Sequence, residues 1–272
     1  MAFFNSQALS LAPFSPSKLS TLGRCGLQMH YKYVQKIKVD SIPEELKVEV
    51  DDSAAALGTA LHRTSELMHD GKSLKESVAL SIKEGEVSED VALEVEMYKN
   101  TVASFQARLS AFKEGFNISE EHREIELAVD SELAPCSYWD SGAVMRGKAD
   151  CVLISSSTKT AIIVDLKSSK RATLAYAQDQ LDFYSLLVLA NFPEVDTVKN
   201  GLFFLKHGRM MWSDQLLKRG SWEGAVLISK INSLSEKFIG NMVPEISTSP
   251  LCNYCIYKGL CGKEKNDRKT RS

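Results

Sequence analysis

Asp165 and Lys167 stand two residues apart at the end of the apolar run AIIV. In a β-strand both side chains then project to one face while Leu166 points to the other. Asp150 lies in the preceding segment RGKADCVLI. If the two segments pair as a hairpin, the two aspartates converge on one cation, and hard oxygen ligands of this kind suit magnesium or manganese. Such a centre supports phosphodiester hydrolysis: the cation polarises the phosphate and acidifies water, while the lysine orients the nucleophile and offsets developing negative charge. The D-x-K spacing alone is a weak signal, because an ion pair at a strand end produces the same pattern.

A second chemistry is carried by cysteine. Six cysteines occupy positions 25, 136, 151, 252, 255 and 261. They are too few for a disulfide scaffold in a chain of this length, and three of them form C-x-x-C-x5-C near the carboxyl end. Three thiolates need a fourth ligand, for which Cys25 is the candidate; spacing leaves both zinc and an iron-sulfur cluster open. Cys151, next to Asp150, reads as a small buried hydrophobe, and Cys136 as a loop residue.

The elements that must position these residues follow from periodicity. Ser15-Pro16 reads as a helix start that brings Cys25 to the end of a short helix. Ser53 opens a second helix, in which Gly58 and His62 share a face and the glycine permits a close approach. Val91, Val95, Tyr98, Val102, Phe105, Leu109 and Phe112 form an amphipathic helical stripe. The period then changes to two, giving strands at 123–129, 144–154 and 161–167. A helix at about 175–191 follows, then strands at GLFFL and RMMW and a last helix at about 222–238. Together these predict an α/β protein.

Hydrophobic residues make up 44% of the 272, charged residues 25%, and the formal net charge is -2. That balance excludes a globally basic polyanion binder, so any nucleic-acid contact must come from a local basic surface. No apolar run approaches the length of a membrane span, and a cytoplasmic protein without membrane contact is expected. Lys170 and Arg171 after the Asp165 strand, and Lys206 and Arg209 around a later turn, are candidate phosphate contacts. Tyr176, Tyr184, Tyr254 and Tyr257 are candidate stacking residues.

The order SPSKLSTLGRC, GTALHRTSELM, RGKADCVLI, AIIVDLKSSK, QLDFY and CNYCIYKGLC resembles the RecB-like branch of the PD-(D/E)XK nucleases nearly end to end. Its iron-sulfur exonucleases, which include the fourth CRISPR-associated protein and the AddB nuclease domain, are the most similar subgroup. The resemblance implies a restriction-endonuclease-like mixed sheet core in a single nuclease domain over 1–262. Within it are a helical insertion at 53–115, a cluster-bearing cap from 15–35 and 244–262, and a disordered charged tail at 263–272. It implies that His62, Asp150, Asp165 and the Leu166 backbone carbonyl bind manganese or magnesium, that Lys167 is the catalytic lysine, and that Gln180 and Tyr184 place the DNA strand. Cys25, Cys252, Cys255 and Cys261 would hold a 4Fe-4S cluster. The implied reaction is exonucleolytic hydrolysis of single-stranded or frayed DNA ends. Two alternatives accompany it: a structure-dependent endonuclease or end-trimming factor in a recombination, replication or CRISPR adaptation complex, and a non-catalytic DNA-binding scaffold. Partners would be DNA, a second copy of the chain, or recombination and adaptation proteins. Glu124 and Glu126 stay open as either an extra carboxylate or a solvated strand.

Overall fold

Ser15 caps the helix that Pro16 begins, its hydroxyl accepting from the Lys18 N–H at 3.2 Å, in a computed structural model that describes residues 2–169, 172–174, 177–241 and 244–262. The chain divides into two compact units, residues 1–52 with 228–272, and residues 53–227.

In the first unit α1 (Ser6–Leu11), α2 (Pro16–Arg24) and α3 (Gly26–Met29) precede a π-helical turn at His30–Val34. Cys25 is the extended residue between α2 and α3, with φ -154°. The late segment is stitched to this region by backbone: the Leu27 N–H donates to Glu245 O at 2.9 Å, and a β-carbon on Gly26 would stand 3.0 Å from Glu245 N. Leu27, Tyr31, Ile42 and Tyr257 form a small apolar core with Cys25, Cys255 and Cys261 packed against it. The charged residues 263–272 read as a tail, and Lys170, Arg171 and Tyr176, lie outside the described residues.

The second unit begins with three helices, α4 (Ser53–His69), α5 (Leu74–Glu84) and α6 (Glu89–Gly115). Five strands follow: β1 (Glu120–Val129), β2 (Met145–Ser155), β3 (Thr160–Lys167), then, after α7 (Gln178–Asn191), β4 (Thr197–Phe204) and β5 (Arg209–Lys218). Their order in the sheet is the order in the chain. Successive pairs are antiparallel except β3 with β4, which the crossover through α7 makes parallel. The element α8 (Trp222–Gly240) starts here and runs on into the first unit's sequence.

The central position of β3 explains its composition, since Ala161 to Leu166 are buried without interruption. One face of the sheet, through Leu153, Val164, Leu166, Phe203 and Leu205, packs on Leu61, Val95, Val102 and Phe105 of α4 and α6. Leu202 and Phe204, of the opposite parity, pack with Leu181 of α7. The strands β4 and β5 extend beyond their apolar stretches. Asn200 is buried in β4 because its amide donates to Ser185 Oγ at 2.7 Å, so a polar residue occupies a core position at no hydrogen-bonding loss.

Candidate active site

Asp165 and Lys167 are brought together by strand geometry alone, and α7 completes the arrangement. Lys167 Nζ lies 2.7 Å from Asp165 Oδ2 and donates to Gln180 Oε1 at 2.8 Å, while Gln180 Nε2 donates to Asp165 Oδ1 at 2.7 Å. Gln180 therefore accepts from the lysine and donates to the carboxylate, which holds both at fixed distance. The buried Tyr184, one turn further on, hydrogen-bonds Gln180, and burial raises its phenol well above the usual range. Its ring rests on Gly147: a β-carbon there would stand 2.8 Å from Tyr184 Cε1.

On the other side of β3, the Leu166 N–H donates to Asp150 Oδ2 at 2.6 Å. His62 Nε2 lies 3.1 Å from the Leu166 carbonyl oxygen. A carbonyl only accepts, so Nε2 carries the proton, and Nδ1, 3.7 Å from Asp150 Oδ2, is the nitrogen left to face the carboxylate. That is the usual posture of a metal-binding imidazole, oriented by a backbone carbonyl behind it. The Leu166 carbonyl oxygen, which the resemblance implies is a metal ligand, accepts from His62 in this arrangement. Gly58, one turn before His62, allows the approach expected of it, since a β-carbon would stand 2.7 Å from Ser168 Oγ just beyond Lys167.

Ligand atoms of His62, Glu124 and Asp150 lie within 4.8 Å of one another. Glu124 is the residue that sequence reasoning left open. Arg123 pairs with Cys151 and Ile125 with Ala149, so Glu124 falls opposite Asp150. Only the hairpin register reveals this. Glu124 has φ +48°, an uncommon conformation for its type, and Lys148 Nζ sits 3.0 Å from its Oε2. Asp165 stands outside this trio: Gln180 donates to its Oδ1, and its buried Oδ2 faces the Lys167 ammonium but has no hydrogen-bond partner among the described residues, so that oxygen could still join a cation.

The donor set, one imidazole and two carboxylates, suits a hard to borderline divalent cation. The electrostatics agree. Burial first, and then the nearby Asp165 charge, push the Asp150 carboxyl up to about 7, and a cation bound beside it would favour its ionised form.

In the first unit, Cys25, Cys255 and Cys261 pack around one apolar core. Burial raises the Cys255 thiol, and the neighbouring Cys25 and Cys252 add to the effect. Backbone donors reach two of the sulfurs: the Ser249 N–H donates to Cys252 Sγ at 3.4 Å, and the Tyr257 backbone amide to Cys255. No three of the cysteine sulfurs lie within 4.8 Å of one another among the described residues. Of the other cations singled out by sequence, Lys206 is paired to Glu94 at 3.1 Å.

No curated protein matches the sequence significantly. Among solved structures, the crystal structure of SSO0001 is similar at 15% identity with a TM-score of 0.41, covering 92% of this chain and 85% of that one. An exonuclease candidate from Eubacterium rectale is similar at 12% identity with a TM-score of 0.45, covering 89% and 86%. The profile of the PD-(D/E)XK nuclease superfamily matches residues 13–262, a span that holds the D-x-K strand end, the preceding aspartate and all the elements that position them. The chain belongs to the PD-(D/E)XK nuclease superfamily.

Proposed function

We propose that this chain is a divalent-metal-dependent deoxyribonuclease that hydrolyses phosphodiester bonds from DNA ends, acting as an exonuclease on single-stranded or frayed DNA. The observation that carries the reading is the gathering of His62, Glu124 and Asp150 within 4.8 Å, beside a lysine already fixed by Asp165 and Gln180. His62 Nδ1 and the two carboxylates, joined by Asp165, would hold magnesium or manganese. When bound, the cation supplies Lewis acidity at the scissile phosphate.

The remaining work belongs to the chain. Lys167 Nζ orients water toward phosphorus and donates to a non-bridging oxygen as charge develops there. Gln180 keeps that ammonium in place, and Tyr184 keeps Gln180 in place. The Leu166 N–H prevents Asp150 from turning away. Lys170 and Arg171 are proposed phosphate contacts beyond the lysine.

A 4Fe-4S cluster on Cys25, Cys252, Cys255 and Cys261 is part of the same proposal. The partly apolar setting and the amide donors to sulfur suit thiolate ligation.

The test is incubation of the whole protein with end-labelled linear and covalently closed single-stranded DNA, with manganese, magnesium or a chelator. Metal-dependent mononucleotide release from linear strands, with circles left intact, is expected. Asp165→Ala and Lys167→Ala should each lower the rate at least about 100-fold, and a Lys167→Ala protein that cleaves at the wild-type rate overturns the assignment.

A further inference from the structure

The loop joining β1 to β2 carries an aromatic group that the nuclease reading does not use. Trp139 is 73% exposed, the most exposed of the large apolar residues among those described. It meets Tyr138 edge-on, with centroids 5.1 Å apart at 80°. The Arg146 guanidinium lies over both rings, 4.7 Å from the Trp139 centroid and 5.2 Å from that of Tyr138, and Arg146 Nη1 donates to Tyr138 O at 3.1 Å.

The loop is held firmly. Asp130 Oδ1 accepts from the Glu132 and Ala134 N–H groups, each at 2.9 Å, and Asp140 Oδ1 accepts from Gly142 N–H at 2.7 Å. An indole fixed in water on a rigid loop is unfavourable by itself. A cation stacked on its side leaves its other surface for a partner with a π-face.

Strand β2 supplies the direction. Arg146, Lys148 and Asp150 alternate with the buried Met145, Gly147 and Ala149, so they share the more open face of the strand. From Asp150 at the candidate metal centre to Arg146 beneath the indole is four residues, about 14 Å along an antiparallel strand. That is the length of about four stacked nucleotides at 3.4 Å each, and of fewer in an extended strand. Lys148, exposed and midway, now pairs with Glu124 at 3.0 Å. A divalent cation at Glu124 would repel that ammonium and free it for a phosphate.

Resting on the nuclease reading above, we propose that Trp139, flanked by Tyr138 and Arg146, is a base-stacking platform for single-stranded DNA, from which Lys148 guides the backbone along β2 to the metal centre. Aromatic surfaces beside a cationic track engage single strands with little regard to sequence, because every base has a π-face. A duplex keeps its bases stacked internally and gains nothing from the platform.

The experiment compares full-length wild type, Trp139→Ala and Lys148→Gln for binding of oligothymidylates in calcium, which occupies oxygen sites, and for manganese-dependent cleavage of the same strands. Trp139→Ala should weaken binding of a ten-nucleotide strand about 10-fold or more. It should change nothing for a dinucleotide, too short to span the track, or for a strand whose bases three to six positions from the bound end are abasic. Lys148→Gln should reduce the salt dependence of binding by about one phosphate contact, in calcium but not in chelator. Trp139→Ala binding all strands like wild type, or weakening the abasic strand equally, overturns the platform even if the wild type degrades DNA. A wild type that binds through Trp139 but hydrolyses nothing preserves the platform and overturns the nuclease reading.

Discussion

Asp150 shows how a single residue is held against its own preference. Its carboxyl is pushed up to about 7, first by burial and then by Asp165, from an ordinary value near 3.8. The folded protein therefore binds a proton there between about pH 4 and pH 7 that the unfolded chain has released. Metal-free stability then falls as pH rises through that window and stays low above it. Asp150→Asn keeps an oxygen for the Leu166 N–H and removes the charge. At pH 8 without metal it should be more stable than wild type by roughly 1–3 kcal/mol, and at pH 4 nearly equal. Manganese should raise the wild-type midpoint and leave the variant's almost unmoved. Denaturant melts at the two pH values check this; a variant less stable at pH 8 would mean that Asp150 is comfortably ionised. At this scale the sequence was legible where chemistry follows from spacing, as in Asp165, Leu166 and Lys167. Glu124 was not, because its neighbours on β1 alternate in charge and its backbone conformation has no sequence mark. Trp139 was missed for a related reason: its meaning lies in a loop that brings it to Arg146 rather than in any periodicity.

Among the elements, α7 depends on a contact with β2 that is set by one absent methyl group. Tyr184 Cε1 and Leu187 Cδ1 would lie 2.8 and 3.3 Å from a β-carbon on Gly147. Gly147→Ala must lift the helix by about 1 Å to reach an ordinary carbon separation near 3.5–4.0 Å. Gln180 hydrogen-bonds at 2.7 and 2.8 Å, so that displacement approaches the limit at which such bonds are lost. Gly147→Ala should thus cost about 1–3 kcal/mol of stability and lower the cleavage rate more than it weakens DNA binding. Equal losses in both would show that α7 does not set Lys167. The helices α4 and α6 and the strand β3 were readable from their apolar period. The edge strand β5 was read too short because its outer half opens with the polar run Ser213, Asp214 and Gln215, which breaks the period of two, and β4 because Asn200 is buried in a hydrogen-bonded pair that periodicity treats as a break.

The whole molecule has a first unit made of both ends of the chain, residues 1–52 and 228–272. A cluster on Cys25 and the late cysteines would close a loop of more than 200 residues, a restraint on the unfolded chain worth on the order of 5 kcal/mol if treated like a covalent crosslink. Cys252→Ser or Cys255→Ser should abolish visible absorbance in anaerobically prepared protein and lower the unfolding midpoint, while Cys136→Ser should do neither. Cysteine variants that stay brown would remove the cluster from the account. No described helix is long and apolar enough to cross a membrane, and the formal net charge of -2 leaves DNA contact to local cations such as Arg146 and Lys148.

Leu166 offers the site both halves of its backbone: its N–H holds Asp150 and its carbonyl orients His62. Neither contribution depends on the identity of its side chain. Most substitutions at Leu166 therefore spare these two contacts even when they damage packing. Proline is the exception, since it deletes the donor outright. Part of the candidate catalytic apparatus is inherited through the path of the chain, and drift at this position can alter how tightly the sheet packs without erasing what its backbone does.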